Sequence, residues 1–342
     1  RNQNAFYDCV IPVSGTGDDF YVVNKVKNEF GLNPLLVTYN THFNTKVGIR
    51  NLSRLVTELD CDHINSTVGP DTVKKISKET LNLIGDMYWH VLAGSQTFPV
   101  QVATKFEIPL VIWGCHGQMD QVGQFSHGDR VEMTKKVRKE HSLRMLDAEE
   151  LEEMSNVVTT QDMLPFKYPT DEQLEKSRVR GIYLNNYFFW NSKDQCEFAI
   201  EKFGYESALQ ERTHNTYESI YCHNNAAIHD YLKFLKLGYG KVTDHLCRDI
   251  RLKRISREDA LKIVLQYQEV KPSNLPVFLD WLKISEEELF STIDKFRDLR
   301  AWEKSPAGAW VLKSPLTPSS DIDLSAEESF EGNRYELTGQ ME

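Results

Sequence analysis

The sequence predicts an α/β fold: a doubly wound parallel sheet followed by a mostly helical C-terminal region. Three observations lead there. Short apolar runs rich in Val, Ile and Leu mark the first half, as CVIPV, PLLVTY and PLVIWG. Between them, apolar residues recur at the period of a helix with one buried face. Past Ser192 that period continues and strong strand runs cease. Strands alternating with helices return to the same end of the sheet and pair in parallel, and their unbroken apolar character suits burial on both faces.

CVIPV is the first strand, and Val22, Val23, Val26 and Phe30 form the stripe of the first helix, with Gly31 as its stop. PLLVTY is the second strand, and Leu52, Leu55, Val56 and Leu59 mark the second helix. CDHIN is a weaker third strand. Gly69-Pro70 opens a helix carrying Val73, Ile76, Thr80, Leu83 and Ile84, because the N–H that proline lacks has no partner in a first turn anyway. A helix through PVQVATKF leads into PLVIWG. GCHGQMDQVGQFSHGD then lacks any period, which suits a functional loop. Asp147 to Met154 is acidic and reads as a solvated helix or linker, and GIYLNNYFF as a weak strand near residue 181. Ser256 to Asp259 and Ser285 to Glu288 have capping-box spacing.

At 342 residues the chain exceeds one ordinary core and divides into residues 1–150, a nucleotide-binding domain, residues 151–313, mostly helical, and a Pro-, Ser- and acid-rich tail, 314–342, expected to be disordered. A formal net charge of −10 excludes a general nucleic-acid binder, which needs a basic face. No apolar run approaches the ~18 residues of a membrane span, and no signal-peptide pattern is seen, so no membrane insertion is expected. Cys9, Cys61, Cys115, Cys196, Cys222 and Cys247 form no CxxC pair and read as reduced thiols of a cytoplasmic protein. The chain opens on RNQNAFYDC, almost directly on a strand, so a preceding segment is expected.

In an open parallel sheet, ligands sit beyond the carboxyl ends of the strands. The turn there after the first strand reads SGTGDD. Ser14, Gly15, Thr16 and Gly17 are small enough to bring backbone N–H groups to an anion at a helix N-terminus. Asp18 and Asp19 would repel a phosphate unless Mg²⁺ lay between them, and as first-turn residues they are ordinary helix-starting chemistry. Phosphate seat and acidic helix cap both remain open at this point. The GK[ST] ending of a Walker loop is absent. Val37, Thr38 and Asn40 end the second strand, an edge that in related folds holds a ribose and base and that is equally an ordinary strand end. Gly114 opens the loop after PLVIWG, with Cys115 and His116 beside it; as strand neighbours these two point apart, which favours a structural thiol.

Trp89 and His90 in MYWHV, and Asn185, Asn186 and Trp190 in NNYFFWNSKDQ, combine flat rings with polar groups and suit either a sugar site or inward packing. His127, Asp129 and His141 show no metal spacing and read as surface residues. YGKVTDHLCRDIRLKR gathers Lys241, Asp244, His245, Arg248 and Arg251. Asp244 with Arg248 and His245 with Asp249 are four apart and fit a salt-bridged helix face; Arg248 and Arg251 also fit an anion clamp.

SGTGDD resembles the Ser-Gly-Gly-x-Asp-Ser turn of the pyrophosphatase-loop ATPases at Ser14, Gly15 and Asp18. It departs at Thr16, at Gly17, where a lysine is usual, and at Asp19, where a serine is usual. YDCVIPVSG, GLNPLLVTYN, TFPVQVATKFEIPLVIWG, GIYLNNYFFWNSKDQ and YGKVTDHLCRDIR resemble the N-acetyl sugar amidotransferases of bacterial surface-polysaccharide synthesis, from Tyr7 to about Tyr267. The resemblance implies an adenine nucleotide alpha-hydrolase-like fold, ATP with Mg²⁺, and adenylation of the acetamido oxygen of a nucleotide-linked sugar. Ammonia from a glutaminase partner, delivered through a cyclase-like subunit, then displaces it. It implies Asp18 and Arg248 as catalytic residues, Asp18 and Asp19 as a Mg²⁺ seat, and Ser14, Gly15, Thr16, Gly17, Asp19, Val37, Thr38, Asn40 and Gly114 around ATP. Trp89, His90, Asn185, Asn186, Lys241, Asp244, His245 and Arg251 would hold the sugar nucleotide. Members usually carry a cysteine-rich segment, zinc-binding in character, before the first strand, and an acidic residue where Cys115 stands. An unopposed charge at Asp19 would weaken nucleotide binding by about 4 kcal/mol at ~4 Å and an effective dielectric near ~20. The alternatives are a weakened homologue serving as a scaffold for the glutaminase pair, and a tRNA-thiolating enzyme of the same superfamily.

Overall fold

The apolar runs become β1 (Cys9–Pro12), β2 (Pro34–Tyr39), β3 (His63–Ser66), β4 (Leu110–Trp113) and β6 (Arg180–Tyr183), while β5 (Glu132–Met133) is a short edge strand. A computed structural model describes residues 6–117 and 132–316, so the readings of His127, Asp129 and the tail past residue 316 fall outside the described residues. The sheet order is β3-β2-β1-β4-β6-β5, parallel except for β5, which runs antiparallel to β6. Val10 aligns with Leu35 on one side and Val111 on the other. The chain builds outward from β1 to β3, then crosses back to lay β4 on the opposite side. This reversal opens a crevice at the carboxyl ends of β1 and β4.

Alternation along each strand sends side chains to both faces. Cys9, Ile11 and Leu36 pack under α1 (Gly17–Asn24), α2 (Lys46–Glu58) and a later helix, Ser192–Phe203. Val10, Leu35, Val37 and Val111 pack against Val102 and Ala103 of α4 (Trp89–Lys105), which follows α3 (Pro70–Ile84). β6, read in the sequence as a weak strand near residue 181, joins the sheet, and the helix Ser192–Phe203 packs against it, although both lie past residue 150.

Of the two readings of the acidic segment, helix or linker, the helix forms as α5 (Ala148–Met154), with Glu149 and Glu153 exposed and its other face buried. Leu151 is fully buried, and Asp147 forms a buried 2.6 Å ion pair with Arg138. After α6 (Asp171–Ser177) and α7 (Ser192–Phe203) come α8 (His223–Leu237), α9 (Lys241–Arg251), α10 (Arg257–Tyr267), α11 (Leu275–Leu282) and α12 (Glu286–Asp294). Their core includes Leu232, Phe278, Ile293 and Trp302 and reaches Leu81 of α3 and Val91 of α4. Both expected caps form: Ser256 Oγ accepts from Asp259 N at 3.1 Å, and Ser285 and Glu288 cap reciprocally at 2.6 and 3.1 Å. A hairpin of β7 (Trp302–Lys304) and β8 (Trp310–Leu312) was not anticipated, since strands of three residues show no alternation.

Candidate functional site

The turn after β1 is set by close approaches. Gly15 has φ +84°, and a Cβ there would lie 2.7 Å from Leu52 N. At Gly17 a Cβ would lie 2.3 Å from Cys196 Sγ, so glycine lets α1 settle on α7. The backbone amides of Ser14, Gly15 and Thr16 converge as a nest, and the Asp19 carboxylate fills it: Oδ2 accepts from the three at 2.7, 2.8 and 2.9 Å. Burial pushes the Asp19 carboxyl up, and these amides oppose that shift. The acidic-cap reading therefore describes Asp19, whose carboxylate holds the three amides that the sequence offered to a triphosphate. Nor does Asp19 fit a Mg²⁺ seat here, because amide dipoles and a helix N-terminus present positive ends around its carboxylate.

Two clefts flank this turn. One, of about 510 Å³, lies over the ends of β2 and β3 and along α2; Thr38, Asn40, Ile49, Leu52, Val56 and His63 line it. His63 Nε2 pairs with Thr38 Oγ1 at 2.8 Å, and Thr38 donates to Val13 O at 2.7 Å. Asn40 Oδ1 accepts from His42 N at 3.0 Å and from Asn44 Nδ2 at 2.6 Å, which fixes the loop after β2. The other cleft, of about 270 Å³, lies over the ends of β1, β4 and β6, with Val37, Gln96, Trp113, Cys115, His116 and Tyr183 in its wall. Ser14, Tyr39, Thr41 and Tyr221 belong to both clefts. Of the residues assigned to the nucleotide, Ser14, Val37, Thr38 and Asn40 thus reach a cleft, whereas Gly114 packs against Trp190, 3.1 Å from where its Cβ would be.

Trp89 and His90 line neither cleft. Trp89 is 1 % exposed and donates to Leu146 O at 2.8 Å. His90 is fully buried and stands 3.2 Å from the Tyr39 hydroxyl, and burial lowers its pKa to about 3. It props an aromatic of the cleft wall instead of meeting a ligand. Asn185 Oδ1 accepts from His116 N at 3.3 Å and so steadies the β4 loop, while Asn186 is half-buried at the end of a short 3-10 turn. His141 is no free surface residue: its ring lies 5.3 Å from that of His116, which also meets Tyr183 at 5.0 Å.

The polar cluster of α9 turns inward. Arg248 pairs with Glu218 at 2.6 Å, and His245 Nε2 stands 2.9 Å from the same carboxylate while its Nδ1 meets Thr213 Oγ1 at 2.8 Å. Burial alone would raise the Glu218 carboxyl, but Arg248 and His245 outweigh it and hold it well below the carboxylate range. Burial lowers His245 to about 4, and it lowers Lys241 too, against the pull of Glu218 and Asp230. Asp244 pairs with Lys233, Asp249 with His214 and Arg254, and Arg251 faces outward. Neither i,i+4 pair forms, because neighbouring elements supply the counter-ions. Of the two arginines offered as an anion clamp, Arg248 is buried on Glu218 and Arg251 is exposed. The Cys196 thiol, driven up first by burial, also feels Asp18, Glu218 and Arg248. Glu218 escaped the sequence reading because NTYESIY has no period or motif; the aromatics Tyr39, Trp113, Tyr183 and Tyr221 were legible only as strand-end or loop positions.

Among the described residues, no group of three or more His, Cys, Asp or Glu is arranged to hold a metal ion, and no helix is long and apolar enough to cross a membrane. No curated protein matches the chain. Two solved structures are similar: an NMN synthetase from Francisella tularensis, at 15 % identity over 59 % of this chain and 79 % of that one with a TM-score of 0.27, and a predicted subunit of a tRNA methyltransferase from Methanocaldococcus jannaschii, at 15 % identity over 58 % and 89 % with a TM-score of 0.25. Residues 199–316, which include the string YGKVTDHLCRDIR, match the family model of the LPS biosynthesis protein WbpG-like C-terminal domain, in agreement with the surface-polysaccharide resemblance of the sequence.

Proposed function

We propose that the chain is a cytoplasmic, ATP-dependent amidotransferase of lipopolysaccharide (O-antigen) biosynthesis that converts the acetamido group of a nucleotide-linked amino sugar to an acetamidino group. The single observation that carries this reading is the pair of clefts meeting at Ser14, Tyr39, Thr41 and Tyr221, which the reading assigns one to a nucleoside and one to an acceptor. The match of residues 199–316 supports the place in LPS biosynthesis. Attack of the acetamido oxygen on the α-phosphorus releases pyrophosphate and leaves an O-adenylyl imidate. Ammonia adds at its carbon and AMP departs, replacing C=O by C=NH. Amide oxygen is a poor leaving group, and adenylation makes it a good one. Ammonia must be shielded from protons, so a glutaminase with a cyclase-like channel subunit is the expected partner.

Mass spectrometry of a UDP-N-acetyl sugar incubated with Mg-ATP and ammonia tests the reaction. The expected product shows the small mass decrease of NH replacing O, together with AMP. Unchanged sugar over several candidate substrates sinks the reading.

One observation favours a second reading. The Asp19 carboxylate already satisfies the amides of Ser14, Gly15 and Thr16. A chain whose loop is closed this way would serve as a docking subunit for the ammonia-supplying pair without using ATP. Calorimetry with Mg-ATP separates the two: heat at submillimolar nucleotide supports the enzyme, and none at millimolar supports the scaffold.

A further inference from the structure

The smaller cleft differs from its surroundings in one chemical respect. Among the described residues in its wall there is no Asp, Glu, Lys or Arg, in a chain that is 26 % charged. The wall does hold the His116 imidazole, but a cationic group brought into such a cleft loses hydration and meets no carboxylate among the described residues, so the occupant carries no positive charge there. The wall is also far from greasy. Tyr39, Trp113, Tyr183 and Tyr221 offer ring faces and edges, and Gln96 and Ser142 offer polar groups held by a 2.7 Å hydrogen bond from Gln96 Nε2 to Ser142 Oγ. Aromatic faces beside amide and hydroxyl groups match a ligand with an apolar face and a hydroxylated rim. A volume of about 270 Å³ lies just under the ~300–1,000 Å³ typical of drug-sized ligands, enough for one ring and not for a whole sugar nucleotide.

We propose that this cleft seats the uncharged N-acyl hexosamine ring of the acceptor, with its acyl group directed to Ser14 and the shared boundary of the two clefts, and with the nucleoside diphosphate outside. The assignment rests on the proposed reaction for its direction, and on the wall chemistry for the ligand class. It moves sugar recognition from Trp89 and the α9 cluster to Gln96, Trp113, Ser142 and Tyr183.

Trp113 supplies a readout that does not need turnover. UDP-N-acetylglucosamine and UDP-N-acetylgalactosamine are titrated into the full chain while tryptophan emission is followed, with calorimetry in parallel. At least one is expected to change the emission, and replacing Trp113 by Phe removes that change. Tyr183→Phe and Gln96→Leu, each checked for an unaltered melting curve, are expected to weaken binding by about tenfold, the scale of one lost hydrogen bond to a buried polar group. The matching deacetylated sugar nucleotide, cationic at its amine, is expected to bind about tenfold more weakly still. Binding unchanged in both folded variants, equal affinity for the cationic sugar, or no binding of any probe overturns the site. Turnover in the wild type with unchanged constants in the variants overturns the site and keeps the reaction. Binding that obeys these rules without turnover keeps the site and removes the reaction.

Discussion

Asp19 decides the fate of the turn after β1. One carboxylate oxygen accepts amide N–H groups from Ser14, Gly15 and Thr16, an arrangement that an incoming phosphate would have to take over. Hydrogen bonds to a charged group contribute about 1.5–3 kcal/mol each, so eviction is costly. Replacing Asp19 by Ser frees the amides and removes the charge. Calorimetry should then show Mg-ATP binding tightened by at least about tenfold, while thermal unfolding shows α1 weakened by about 1 kcal/mol through loss of its cap. Equal affinity in the two proteins would mean that this turn is no nucleotide seat. A second residue sets an acid limit. His90 is buried as neutral imidazole, with its folded pKa lowered from 6.5 to about 3. The unfolded chain takes the proton first as pH falls, so this stability is complete above about pH 6.5 and is lost on the way down to about 3. Urea midpoints measured from pH ~7 to ~4 should fall for the wild type, with a shallower slope in His90→Phe. Equal slopes would remove His90 as a source of the acid sensitivity.

At the scale of elements, the seam between α1 and α7 is a close helix contact near the site. The Cβ of an alanine at Gly17 would lie 2.3 Å from Cys196 Sγ and 3.0 Å from Cys196 Cα. Gly17→Ala should therefore destabilise the protein by about 1–3 kcal/mol, the range for overpacking. Cys196→Ala should return part of that loss, and a double-mutant cycle should show coupling of about 0.5 kcal/mol or more. Additive effects would place the strain elsewhere. This pair also shows what was legible. The strands β1, β2 and β4 and their covering helices stand out because continuous apolar runs and helical stripes encode burial directly. The glycines of SGTGDD were legible as small residues, but their purpose was not: Gly17 answers to Cys196, far along the chain, and no local spacing records that. The same holds for Arg248. Its sequence neighbours suggested a helix-face pair with Asp244, and its partner is Glu218 on another segment. Strand-end positions in the clefts, such as Ser14, Thr38 and Asn40, follow from the general rule for parallel sheets, whereas inward-facing Trp89 required the third dimension.

The whole molecule is held together across the point where the WbpG-like match begins. Residues 199–316 match that domain, yet Ala199, Tyr205 and Tyr217 are buried with Phe20, Val23 and Leu55 against the sheet. Glu206 pairs with Arg50 at 2.5 Å and Arg54 at 3.1 Å, and its backbone exchanges hydrogen bonds with the Asn51 side chain at 2.8 and 2.9 Å. The core of the helical region likewise takes Leu81, Met87, Tyr88 and Val91 from α3, α4 and the turn joining them. Each exposed aromatic or aliphatic side chain forfeits about 1.5–3 kcal/mol of burial, against a total stability near ~5–15 kcal/mol for a domain. A fragment of residues 199–316 should therefore fail to melt cooperatively by circular dichroism, and should regain a sharp transition only when residues 6–198 are supplied on the same chain or co-expressed. A cooperative melt of the isolated fragment would show that the matched segment is an independent domain, and that its contacts with Phe20, Arg50 and Arg54 are a docking interface and not a shared core.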